Sequence, residues 1–116
     1  MKYLCLICAE KVMEQMPEDD ADAHFREYAE FTDAIRESGH FVGCNRLLPP
    51  AAATTIRVRN GKVSATDGPW VETKEQLGGY YLIEAKDLNS AIQTASRIPG
   101  ARVGSIEVRP IAETPR

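Results

Sequence analysis

The sequence predicts an α+β fold with an antiparallel sheet, and three patterns carry that expectation. Lys2 to Cys8 alternates as a strand that is apolar on both faces. Two stretches, about Asp20 to Ser38 and Asp87 to Ile98, repeat apolar residues at helical spacing. Between them Asn60-Gly61 separates two short alternating runs, as a tight hairpin turn requires. In order, the elements read strand, helix, strand, hairpin, strand, helix, strand. That is a ferredoxin-like βαβ–hairpin–βαβ arrangement.

Each element has its own justification. In the first strand Tyr3, Cys5 and Ile7 line one face and Leu4, Leu6 and Cys8 the other, so a central position is expected. Lys11 to Asp20 is polar and holds Pro17, which reads as a loop or a short helical turn. The first helix carries Phe25, Tyr28, Phe31 and Ile35 on one face, opens with acids suited to its positive end, and stops at Gly39. His40 to Leu48 follows as a strand ended by Pro49-Pro50. Thr54–Arg59 and Lys62–Ala65 flank Asn60-Gly61, and a two-residue loop pairs Val58 with Val63 and Ile56 with Ala65 on one face. Asp67-Gly-Pro-Trp70 reads as a loop, then Val71 to Leu77 leads into a strand from Gly79 to Glu84, where Tyr80 lies with Leu82 and Tyr81 with Ile83. The second helix has Asp87 as N-cap and a stripe of Leu88, Ala91, Ile92, Ala95 and Ile98 before Pro99-Gly100. Val103 to Val108 forms the last strand, with a frayed tail from Pro110.

Two helices cover one face of such a sheet, yet the first strand is apolar on both. A second copy of the chain is the economical cover, so a homodimer is expected. At 116 residues one domain, 1–116, is expected. The net charge of −3 and the scattered basic residues argue against nucleic acid as a partner. No run approaches the roughly 20 apolar residues that span a bilayer, so no membrane association is expected. The apolar opening lacks a small-residue cleavage site and meets Glu10, Lys11 and Glu14, which argues for a cytoplasmic protein. Cys5, Cys8 and Cys44 fit a reducing compartment. Cys5 and Cys8 have C-x-x-C spacing, but in a strand residues three apart point to opposite faces, so they are read as structural thiols.

The run Thr66-Asp-Gly-Pro-Trp-Val-Glu-Thr-Lys-Glu-Gln-Leu-Gly-Gly-Tyr-Tyr-Leu-Ile-Glu84 resembles the signature of DGPF-domain proteins, within the YCII-related family. The opening strand with Tyr3 and Ile7, Pro49-Pro50, the Thr54 to Gly61 segment and Glu107-Val-Arg-Pro110 extend the resemblance over nearly the whole chain. Trp70 stands where the family usually has Phe. The resemblance implies a dimeric α/β barrel, two ferredoxin-like units packed sheet to sheet. It also implies relatives that lie beside or are fused to alternative sigma factors, and others that act on small aromatic or lactone-like compounds. Relatives are thought to use a His–Asp pair; here Tyr28 falls near the family histidine, with His24 one helical turn earlier.

The candidate catalytic residues are His24, Tyr28, Asp67 and Glu72. His24 can carry a proton at neutral pH, and a carboxylate held near a lysine and an aromatic wall can act as acid or base. Trp70, Lys74 and Tyr80 are the candidate substrate-binding residues. A structural role for Asp67-Gly-Pro-Trp70 is also available, in which the turn aims Trp70 into a core gap. No cofactor or metal is expected: Leu77-Gly78-Gly79-Tyr80 lacks the G-x-G-x-x-G pattern and precedes a strand, and no Ser–His–Asp order or ligand cluster appears. Gly78-Gly79 is read as a close backbone approach at a bend. Two functions follow as expectations. One is a dimer that binds or transforms a small organic molecule in a sheet–helix cleft. The other is a non-catalytic dimeric module tied to a sigma-factor system.

Overall fold

A computed structural model describes residues 1–10 and 16–113. Its strands are β1 (Lys2–Glu10), β2 (Phe41–Arg46), β3 (Thr54–Arg59), β4 (Lys62–Asp67), β5 (Glu75–Glu84) and β6 (Ser105–Pro110), and its α-helices are α1 (Glu18–Glu37) and α2 (Leu88–Ala95). Four strands form an antiparallel sheet in the order β2-β5-β1-β6, and β3 pairs with β4 in a separate ribbon. This is the strand order of a ferredoxin-like sheet, with β1 in the interior as its two apolar faces predict. Of the loop or short helical turn expected across Lys11 to Asp20, residues 11–15 lie outside the described residues, and Glu18 to Asp20 form the first turn of α1.

The core lies on one face only. Tyr3 and Cys5 of β1 and Tyr81 and Ile83 of β5 pack against Phe31 and Ile35 of α1, Ala91 and Ala95 of α2, and Ile98. The strict alternation puts Leu4, Leu6, Tyr80 and Leu82 on the other face, which neither helix covers; they are half-buried by their neighbours. Cys5 is fully buried, and burial pushes its thiol up to about 11. Cys8 is half-buried on the opposite face, as the strand reading of C-x-x-C requires.

Local signals decide most boundaries. At the end of α1 the Gly39 N–H bonds Arg36 O and the His40 N–H bonds Ile35 O, the paired closure of a Schellman motif. The Asp87 side chain accepts from the Ser90 N–H at 2.8 Å and caps α2. Asn60 and Gly61 have φ of 52° and 75°, the positive pair a type I′ turn needs. The ribbon register matches expectation at Val58–Val63, Ile56–Ala65, Arg57–Ser64 and Arg59–Lys62.

Several expectations need correction. The α1 stripe does not bury evenly, because Phe25 is 53% exposed while Phe31 and Ile35 are buried. Helix α2 ends at Ala95, and Ile98 reaches the core from the turn that leads to a short 3₁₀ segment, Pro99–Arg102. That segment delays the last strand to Ser105. The chain beyond is not frayed at Pro110: that residue pairs with Tyr3, and the Ile111 N–H bonds Lys2 O. Strand β2 stops at Arg46, short of Leu48. Trp70 fills no gap in this chain's core; it is 77% exposed. No helix among the described residues is long and apolar enough to cross a membrane.

Candidate functional site

A cleft of about 450 Å³ opens between the first half of α1, the end of β2 with the Leu47–Pro50 segment, and β1 and β5. The sequence builds it from two local features. Tight pairing of β5 with β2 at Gly79, where an added Cβ would stand 3.0 Å from the Asn45 carbonyl, leaves no side chain to fill the space under α1. A β-bulge between Ile7 and Cys8 bends the sheet beside it.

Aromatic rings form the inner wall. Tyr28 of α1 lies parallel to Tyr81 of β5 with centroids 6.4 Å apart, and the His24 ring meets Tyr28 edge-on at 5.0 Å. Thr32 ties the pair together. Its hydroxyl donates to the Tyr28 carbonyl at 2.8 Å and lies 2.6 Å from the Tyr81 hydroxyl. A threonine hydroxyl has one proton, so Tyr81 is the donor in that second bond. The Tyr28 hydroxyl instead accepts from the Gly100 N–H at 3.1 Å, which leaves its own proton available to the cleft. Burial raises both phenols above their ordinary range, so both stay protonated donors at neutral pH.

The rim is apolar, with the Arg46 guanidinium beside it. Phe25, Leu47, Leu48 and Leu77 line the cleft and stay exposed. The Arg46 guanidinium sits 5.0 Å over the Phe25 ring, and no carboxylate among the described residues lies within ion-pair distance of it. Glu10, also on the lining, is held by Lys74 at 3.5 Å.

The expected site residues divide between two places. His24, Tyr28 and Tyr80 line the cleft. Tyr80 follows Tyr81 on the other face of β5, and its hydroxyl accepts from the Asn45 amide at 2.8 Å. Asp67 ends β4, paired with Thr54 at the base of the ribbon, while Trp70 and Glu72 lie exposed in the link to β5, and none of the three lines the cleft. Lys74 reaches it only through Glu10. The expected Glu72–Lys74 cluster beside an aromatic wall is therefore not assembled within one chain. Missed from the sequence were Tyr81, Thr32, Arg46 and Gly100. Tyr81 carried a signal, since its alternation with Ile83 already set it on the core face opposite the stripe that includes Tyr28. No group of three or more His, Cys, Asp or Glu converges as a metal site among the described residues.

Fold and cleft together define a ferredoxin-like α+β unit with an aromatic-walled cavity at one end of its sheet. The chain belongs to the YCII-related domain family, whose profile matches residues 1–115. It is also similar to an uncharacterized protein of Rhizobium meliloti (strain 1021), at 44% identity over 78 residues. That match covers 66% of this chain and 63% of the relative, so it spans less than two thirds of the relative's own length.

Proposed function

We propose that the protein binds a small organic molecule in the cleft between α1 and the sheet, and that Tyr28 and His24 serve its polar end. The carrying observation is the Tyr28 hydroxyl: half-buried, held protonated, fixed by the Gly100 N–H and left with a free proton beside the His24 imidazole. A volume of about 450 Å³ falls within the range of ordinary ligand pockets. Apolar walls favour a ring or short hydrocarbon body, and Arg46 at the rim favours a carboxylate or other anionic oxygen. A carbonyl or alkoxide oxygen placed against Tyr28 would receive its hydrogen bond, while His24 takes or returns a proton at the adjacent carbon or oxygen. That geometry suits isomerisation, elimination or hydrolysis of a small cyclic acid.

The unit acts as a homodimer in this reading, because the face carrying Leu4, Leu6 and Leu82 is apolar and lies away from both helices. A thermal-shift screen with small aromatic and alicyclic acids tests the ligand claim. Ligand at a hundred times its Kd stabilises by about 2.7 kcal/mol, which raises Tm by several degrees. Tyr28→Phe and Arg46→Met should each weaken a hit about tenfold or more. A hit whose affinity ignores both substitutions would place the ligand elsewhere and end this reading.

A further inference from the structure

The Tyr28 hydroxyl keeps its proton for the cleft because the Gly100 N–H occupies its other side. A phenol proton lies in the ring plane, on one side of the oxygen or the other, so a donor on one side turns the proton to the opposite one. The direction of that proton is therefore set by a backbone amide, and the amide lies in the 3₁₀ turn between α2 and β6. The turn is well seated at its start. Ile98, Pro99 and Gly100 are buried, and the Gly100 carbonyl accepts the Val103 and Gly104 N–H groups at 3.3 and 2.9 Å. Its far end is more open, with Arg102 and Val103 exposed. There the Arg102 guanidinium pairs with the Glu27 carboxylate of α1. Glu27 and Tyr28 are consecutive on α1, and Gly100 and Arg102 lie two residues apart on the turn, so two side-chain bonds join the same two short stretches.

We infer that Glu27 and Arg102 are positioning residues for Tyr28: their ion pair draws the open end of the turn onto α1 and so holds the Gly100 amide on the phenol oxygen. The inference rests on the cleft reading and adds the residues that prepare its proton donor. A charge-assisted bond suits the task, because a guanidinium and a carboxylate align as well as attract. Both side chains stay partly in water, so the pair adds little to global stability, and its effect is the local one of fixing a turn against a helix. Electrostatics acts in the same sense. Burial raises the Tyr28 phenol and the nearby Tyr81 adds to the rise, while the Gly100 N–H and the Arg102 charge work against it. A Tyr28 that hands its proton toward a ligand oxygen is thus supported from both ends of the turn.

Amide hydrogen exchange of the full chain, read residue by residue by NMR at neutral pH, tests this without any ligand. Tyr28→Phe, which removes the acceptor, should speed exchange of the Gly100 amide, and Glu27→Gln and Arg102→Met should each speed it about threefold or more. Charge alone predicts another pattern, because exchange is catalysed by hydroxide. Loss of the Arg102 cation would then slow the amide, and loss of the Glu27 carboxylate would speed it. The double variant should exchange no faster than either single one, and the reversed pair, Glu27→Arg with Arg102→Glu, should restore the original rate. Far-UV circular dichroism and Tm should stay nearly unchanged throughout, since the pair lies at the surface. A Gly100 amide that slows in Arg102→Met, ignores Tyr28→Phe, or is not restored by the reversed pair overturns the positioning role and leaves the cleft reading standing. A cleft ligand whose affinity ignores Tyr28→Phe ends the cleft reading instead, whatever the exchange rates show.

Discussion

Tyr28 shows how one residue can join fold and site. Its ring stacks near Tyr81 in the core, and its hydroxyl receives the Gly100 N–H at the turn after α2. Gly100 is required by that approach: an added Cβ would sit 2.6 Å from the Tyr28 hydroxyl and 3.0 Å from Ile7 Cγ2. Gly100→Ala should therefore cost about 1–3 kcal/mol by denaturant unfolding. Adding Tyr28→Phe should recover part of that loss, because the oxygen in the way is gone. A double variant no more stable than Gly100→Ala would show that the crowding lies elsewhere. Tyr28, Tyr81 and Cys5 also share an electrostatic condition, since burial raises all three above their ordinary values. For an acid whose folded pKa is raised, the stabilisation is complete below the unfolded value and is lost as pH rises through the folded one. Stability should be level to about pH 9 and fall toward pH 11, with Cys5→Ala flattening the first part of the fall. A profile that Cys5→Ala leaves unchanged would assign the fall to Cys8 and the tyrosines, which burial also raises. For the same reason native Cys5 should react slowly with a maleimide at pH 8 and quickly once unfolded.

At the scale of elements, what could be read from sequence was what is determined locally. The ribbon register followed from Asn60-Gly61 and period-two alternation, and both reside within fourteen consecutive positions. The α2 start followed from Asp87, whose replacement by alanine should cost about 0.5–2 kcal/mol in thermal unfolding. Indifference to that change would mean the cap bond is not made in solution. The cleft was only half legible. His24 and Tyr28 are one turn apart on a single helix, so their meeting could be foreseen. Arg46 and Gly100 come to the same place through β2 and the 3₁₀ turn, and such long-range convergence leaves no trace in local spacing. Trp70 was misplaced for a related reason. Turn chemistry predicts the bend at Gly68, where φ is 102°, but not which body the following ring will meet. Hydrogen exchange resolves these elements: amides of β1 and β5 should be the slowest, and those of the separate β3–β4 ribbon should exchange faster.

The whole molecule is thin, 48 × 48 × 19 Å, with helices over one sheet face, an apolar second face and a projecting arm. Such a shape leaves two separate apolar surfaces in water, the second sheet face and the apolar side of the β3–β4 ribbon. The cleft sits at the end of the sheet from which the arm departs, since Leu47 to Pro50 line it and β3 follows directly. The most direct measurement is a structure of the protein with a small cyclic acid selected by thermal shift. The account predicts the compound between α1 and β5, an oxygen within hydrogen-bond reach of the Tyr28 hydroxyl and its anionic group toward Arg46. A compound bound away from the cleft, with Tyr28 and His24 untouched, would contradict it.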